Sequence, residues 1–263
     1  MTTTTQQSEA VPGHRRVWNK VPEVTAYFWI IKVLCTTVGE TAADYLNDTL
    51  GFGLTNTTWI MSALLIGALV VQFRSARYIP GVYWLSVVLI SIVGTLVTDN
   101  LTDGMHVPLE TTTIVFTIVL GGTFALWYAS EKTLSIHTIH TTRREAFYWA
   151  AILFTFALGT AAGDLTAEKL ALGYWVSALM FGALIVAVAV AHFWFRLNAV
   201  TAFWIAYVLT RPLGASLGDG LSQPRANGGL ALGTVGTSAL FLTTILGLVV
   251  YLTATRKDRE PLG

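Results

Sequence analysis

Phe28-Trp29-Ile30-Ile31-Lys32-Val33-Leu34-Cys35-Thr36-Thr37-Val38-Gly39-Glu40-Thr41-Ala42-Ala43-Asp44 is a phrase to which the chain returns three more times. Trp29, Trp84, Trp149 and Trp204 are each followed ten residues later by Gly39, Gly94, Gly159 or Gly214. Five residues beyond each glycine stands Asp44, Asp99, Asp164 or Asp219. An aromatic residue precedes every tryptophan: Phe28, Tyr83, Tyr148 and Phe203. The pattern W-x9-G-x4-D thus recurs four times without a gap. The tryptophans lie 55, 65 and 55 residues apart, as expected of a duplicated pair of repeats joined by a longer polar loop around Glu131 and Glu145. Repeats at such a period are units stacked on one another.

The surroundings of the motif set the fold class. Of 263 residues, 54 % are hydrophobic and only 12 % charged, against about 25 % charged in a soluble domain. So few charges cannot cover a water-facing surface. Apolar windows near the ~20 residues of a spanning helix recur along the chain. Those at 51–73, 78–98, 111–130, 146–163 and 226–255 contain no charged residue or histidine, and 170–195 contains His192 alone. Two more are interrupted, 24–44 by Lys32 and Glu40 and 197–218 by Arg211. The expectation is an all-α, polytopic membrane protein of eight transmembrane helices, arranged as four parallel two-helix repeats in a pseudo-four-fold bundle. The expected organisation is a disordered cytoplasmic tail over 1–21, a transmembrane domain over 22–255 with repeats near 22–76, 77–132, 142–196 and 197–255, and a tail over 256–263.

Lys and Arg in the loops set the orientation. Arg15, Arg16, Lys20, Arg74, Arg77, Lys132, Arg143, Arg144, Arg196, Arg256, Lys257 and Arg259 fall on one side, and only Lys169 and Arg225 on the other. Both termini are therefore expected in the cytoplasm of a bacterial inner membrane. The first twenty residues are polar and lack the apolar run of a cleaved signal peptide.

The sequence resembles an uncharacterised family of bacterial membrane proteins built of four tandem two-span repeats, each with a tryptophan. The stretches Gly39-Glu40-Thr41-Ala42-Ala43-Asp44 and Leu209-Thr210-Arg211-Pro212-Leu213-Gly214 carry that resemblance, which extends over roughly 24–255. It implies the topology and no reaction.

Each part of the motif has a physical reading. Tryptophan favours the headgroup level, so the four are expected as interfacial anchors. Each glycine has a small residue four positions on (Ala43, Thr98, Gly163, Gly218). Such pairs let helix backbones approach closely, so the odd helices should pack at the centre with the even ones outside. Pro212 should kink its helix. The aspartates lie about 22 Å beyond their tryptophans at 1.5 Å per residue, near the outer edge of the membrane core. Either they end helices in water, or the four carboxylates converge as a cation site or filter.

Charges inside a span are expensive. Lys32 could snorkel to the cytoplasmic interface or balance charge. Glu40 and Arg211 have no such escape. They stand eleven and seven residues past their tryptophans. At about 100° per residue they point within about 40° of one another on equivalent helices, and in a closed ring those helices are neighbours. The two are expected to meet, as a static lock or as a gate. Glu40 and Asp44 share one face with Thr36, Thr37 and Asn47, an oxygen-rich set suited to Mn²⁺, Mg²⁺ or Ca²⁺. Cys35 reads as packing, and His137 and His140 as loop residues.

No phosphate loop, metalloprotease motif or nucleophile elbow is present, so no enzyme and no cofactor is expected. The leading expectation is a transporter or channel for an inorganic cation, a divalent metal such as manganese coupled to protons. Glu40, Asp44, Asp99, Asp164 and Asp219 would bind it, and Arg211 and Lys32 would balance charge. The alternatives are a membrane scaffold or sensor accessory, and an organic solute carrier with aromatic pocket walls. The expected partners are the lipid bilayer, the cation and protons, with a homo-oligomer left open. The balance of 16 basic to 15 acidic residues offers nothing to nucleic acid.

Overall fold

The computed structural model describes residues 19–258. Eight long helices occur in this stretch: α1 (Ala26–Asp44), α2 (Leu54–Arg74), α3 (Pro80–Asp99), α4 (Leu109–Glu131), α5 (Thr142–Asp164), α6 (Tyr174–Phe193), α7 (Ala199–Ser222) and α8 (Gly233–Thr255). Their starts follow from local chemistry. The Thr25 hydroxyl caps α1 by accepting from the Phe28 N–H, Thr141 caps α5, Asn198 caps α7, and Pro80 occupies the first turn of α3. Such side chains satisfy amides that the first turn leaves without partners. Seven of the eight are long and apolar enough to cross a membrane, so the chain is an all-helical membrane protein. The exception is α1, which carries Lys32, Glu40 and Asp44 within its 19 residues.

The odd helices form a closed inner ring in which α1 packs on α3, α3 on α5, α5 on α7 and α7 on α1. All four run the same way, since their tryptophan ends meet at one end and their aspartate ends at the other. Two thirds of the apolar span of α3 and of α5 is buried, against 17 % for α2, α4 and α6. The even helices therefore form the outer layer, with an unexpected offset. Each leans on the inner helix of the following repeat: α2 on α3, α4 on α5, α6 on α7 and α8 on α1. The repeats interlock, and are not self-contained hairpins set side by side.

The repeat glycines make the ring possible. A Cβ on Gly39 would strike the Ser91 side chain, one on Gly94 that of Phe156, one on Gly159 that of Arg211, and one on Gly214 that of Thr36. In every case the residue received lies three positions before the glycine of the next repeat. One contact is thus made four times around the circle, and it closes. At this spacing any side chain larger than hydrogen forces the backbones apart. Pro212 sits inside α7, which continues through it. It removes the amide that would meet the Val208 carbonyl.

The tryptophans are not lipid-facing anchors. Trp84, Trp149 and Trp204 are buried, and Trp29 is half-buried. The aromatic residue before each one packs against the tryptophan of the next repeat: Phe28 on Trp84, Tyr83 on Trp149, Tyr148 on Trp204 and Phe203 on Trp29, with ring centroids 5.6 to 6.2 Å apart. Burying 150–250 Å² of each ring against other rings outweighs the headgroup preference. Trp204 also donates its indole N–H to the Leu134 carbonyl at 2.9 Å.

The chain ends also depart from expectation. Most of the tail read over 1–21 lies outside the described residues, but Lys20 and Val21 are buried. The Lys20 ammonium donates to Glu145 Oε2 at 2.6 Å and to the Phe73 carbonyl at 3.0 Å, and Gln72 donates to the other Glu145 oxygen. Beyond α8, Asp258 is buried and accepts from the Tyr78 hydroxyl at 2.6 Å. These polar bonds clamp both tails onto the tryptophan end of the bundle.

Candidate cation site

Four-residue steps along each inner helix keep one row of side chains inward. Such a row inclines about 26° to its helix axis, so helices that hold it on the bundle axis lie tilted. From the tryptophan end, the first layer is Phe28, Tyr83, Tyr148 and Phe203, with the Tyr83 and Tyr148 hydroxyls hydrogen-bonded to each other. The second is Lys32, Val87, Ile152 and Tyr207, and the third Thr36, Ser91, Phe156 and Arg211, all with no exposed surface. The fourth is Glu40, Thr95, Thr160 and Ala215, again buried. The last is the four aspartates, of which Asp219 is buried and the others half-buried.

Arg211 dominates the centre. Its guanidinium donates to the Thr36 carbonyl at 3.2 Å, to Glu40 Oε2 at 2.7 Å, to Thr160 Oγ1 at 2.7 Å and to Thr95 Oγ1. Those partners belong to α1, α5 and α3, so one side chain of α7 ties all four inner helices together. The planar, permanently charged fork of arginine suits such a junction. The meeting of Glu40 and Arg211 predicted from their angular offsets is present.

Beyond this pair the axis turns acidic. Carboxylate oxygens of Glu40, Asp164 and Asp219 lie within 4.8 Å of one another, from α1, α5 and α7. Oxygens across a Ca²⁺ or Mg²⁺ ion stand about 4–5 Å apart, given metal–oxygen distances of 2.0 to 2.6 Å. The three carboxylates are therefore close enough together to reach one hard cation. Asp99 lies within electrostatic reach of Glu40, Asp164 and Asp44, so all four repeat aspartates gather at this end. The two inner layers beyond Arg211 hold five carboxylates, and the row holds two cationic side chains, Arg211 and Lys32.

Some expected members are elsewhere. Asp44 is outside the three-carboxylate group, so the same-helix pair Glu40 and Asp44 gives way to a set drawn from three helices. The Thr36 and Thr37 hydroxyls donate to the Val33 carbonyl of their own helix. Cys35 is buried, as expected of a packing residue. His137 lies 3.5 Å from Glu23, away from the axis.

Lys32 does not snorkel. Its ammonium lies 4.1 Å from the Phe156 ring centroid and 4.3 Å from that of Tyr207, with no hydrogen-bond partner. A buried cation over an aromatic face gains about 2 kcal/mol or more, whereas taking an unpaired ammonium out of water costs several kcal/mol. The two effects are of the same order.

Sequence reasoning missed one feature of the acidic end. Each of α1, α3 and α5 passes at its aspartate into a five-residue π-helical turn: Tyr45–Thr49, Asn100–Gly104 and Leu165–Lys169. Such wide turns often occur at functional sites. The fourth repeat differs, α7 continuing to Ser222. A cleft of about 510 Å³ near the other end, lined by Val24, Trp29, His192 and Phe203 among others, contains none of the acidic residues.

Among protein families, the one described as Repeat of Unknown Function (DUF347) matches four times, over residues 27–78, 82–133, 147–198 and 202–258. The chain belongs to that family. No curated protein and no solved structure matches it.

Proposed function

We propose that this member of the DUF347 repeat family carries an inorganic cation across the membrane, a hard divalent ion such as manganese exchanged against protons. The observation that carries this reading is the group formed by Glu40, Asp164 and Asp219, with carboxylate oxygens within 4.8 Å on the axis of the inner ring. An all-oxygen, carboxylate-rich site favours Mg²⁺, Mn²⁺ or Ca²⁺ over softer metals. In this reading α1 is the eighth span, both termini are cytoplasmic and the acidic end faces outward. Arg211 and the aromatic layers then close the axis on the cytoplasmic side of the cation. A closed axis fits a carrier with alternating access better than an open pore.

The cation enters the carboxylate cluster and competes with Arg211 for Glu40. Release of the guanidinium from Glu40 loosens the one junction common to the four inner helices. The test is thermal stability of the purified protein in detergent with Mn²⁺, Mg²⁺, Ca²⁺, Zn²⁺, Na⁺ and K⁺, followed by uptake into proteoliposomes. Stabilisation by one divalent ion, and movement of that ion, supports the carrier. A flat panel with no ion flux overturns it.

A second reading rests on the same guanidinium. A side chain of one helix bonded to three others can be a static lock, and the protein a membrane scaffold. In that case the folded wild-type protein moves no ion in proteoliposomes, and replacing Glu40 and Arg211 together by glutamine changes stability alone.

A further inference from the structure

We infer that Lys32 is a proton-exchange site, an amine on the ring axis that gains and loses a proton as the acidic cluster empties and fills. The coupling rests on the carrier reading above; the proton site does not. Lys32 has no exposed surface, and its Nζ meets no hydrogen-bond acceptor. It is held only by the faces of Phe156 and Tyr207, at 4.1 and 4.3 Å from their centroids. A lysine whose charge served structure would be expected to face a carboxylate, as Lys20 faces Glu145 across 2.6 Å. The aromatic faces favour the ammonium, whereas burial and the nearby Arg211 guanidinium favour the neutral amine.

Its other neighbours also point to a proton. From α7 the facing groups are Tyr207 and, one turn on, the Arg211 guanidinium. From α5 and α3 they are Tyr148 and Tyr83 in the layer nearer the tryptophan end. On α1 itself the nearest is Cys35, and α8 carries no charged residue. No carboxylate is among them. A cation that frees Arg211 from Glu40 adds positive charge next to Lys32. The ammonium then sheds its proton to water and the nitrogen keeps the electron pair. With a divalent ion two positive charges enter the axis and one departs with the proton.

Only five lysines occur in the chain: Lys20, Lys32, Lys132, Lys169 and Lys257. Nitrogen-15 NMR of lysine-labelled protein in nanodiscs can therefore follow each side-chain nitrogen. The Lys32→Met variant identifies the Lys32 resonance, and Lys32→Arg does so if the methionine variant does not fold. The expected result is a Lys32 signal that converts between ammonium and neutral amine from about pH 5 to about pH 10, a range that lies between ordinary carboxyl and lysine titrations. A Lys32 nitrogen that stays ammonium, or stays neutral, throughout overturns the site. At the midpoint pH, Mg²⁺ or Ca²⁺ should shift Lys32 toward the amine. If these ions stabilise the protein yet leave the Lys32 signal unmoved, the coupling is overturned. If neither ion binds, the cation reading fails at this site, and the titration alone decides the proton site.

Discussion

Arg211 of the last repeat donates to Glu40 of the first across 2.7 Å, joining residues 171 positions apart in the chain at the seam where the ring closes. Neither partner can be removed cheaply, because each leaves the other's charge buried without its counter-charge. Arg211→Gln and Glu40→Gln should each destabilise the protein by about 3–5 kcal/mol. The double variant should lose less than the sum of the two. Thermal unfolding of all three in one detergent checks this, and additive losses would mean that the pair does not interact.

The repeat glycines make a second prediction with internal controls. Gly94→Ala and Gly214→Ala place a methyl group against Phe156 and Thr36, and should cost about 1–3 kcal/mol each through overpacking. Gly121→Ala and Gly182→Ala lie on outer helices with open space around the new atom. They should leave stability unchanged or slightly raised, since alanine favours a helix. The two classes should separate in a thermal-stability assay.

The tryptophans separate in the same way. Trp84 is buried against Phe28, and Trp84→Ala should cost about 3–5 kcal/mol. Trp59 on α2 is 73 % exposed, and Trp59→Ala should cost far less. Equal losses at both positions would mean that the repeat tryptophans act at the lipid surface after all.

At the acidic end, Asp164→Asn and Asp219→Asn should leave the fold intact and remove the ion-induced rise in melting temperature. An ion present at a hundred times its Kd stabilises the folded protein by about 2.7 kcal/mol, and that increment is what each variant should lose. A full increment in both variants would move the cation elsewhere.

Much of this was legible in the chain because the repeat is strict. The motif W-x9-G-x4-D implied parallel inner helices, the small partners after each glycine implied their close approach, and angular offsets alone placed Glu40 against Arg211. Depth along the axis could be read for the same reason, since equal offsets from a tryptophan mean equal levels. Which rings pair between repeats, and which outer helix covers which inner one, could not. Nothing in the spacing says that Phe28 packs on Trp84 more closely than on an outer helix, or that α2 leans on α3. Burial of the tryptophans contradicts their interfacial preference because four aromatic pairs supply one another with an apolar surround that no single repeat contains. Lys20 and Glu145 meet across 125 positions, one in a segment read as tail and the other in a segment read as loop. The π-helical turns after Asp44, Asp99 and Asp164 have a local correlate outside the four-fold motif: an acidic residue, Asp48, Asp103 or Glu168, stands four positions on, where the fourth repeat has Gln223.

The forward lean of the outer helices sets an order on assembly. In a chain made from the N-terminus, α3 receives its cover, α2, before it is itself complete, and α5 and α7 likewise follow theirs. The exception is α1, whose cover is α8 and whose counter-charge is Arg211, both at the far end of synthesis. It is also the one long helix outside the seven that are apolar enough to cross a membrane by length and composition. α1 therefore gains its cover and its counter-charge only when the last pair arrives, and truncation before α7 leaves Glu40 without Arg211 and Lys32 without Tyr207.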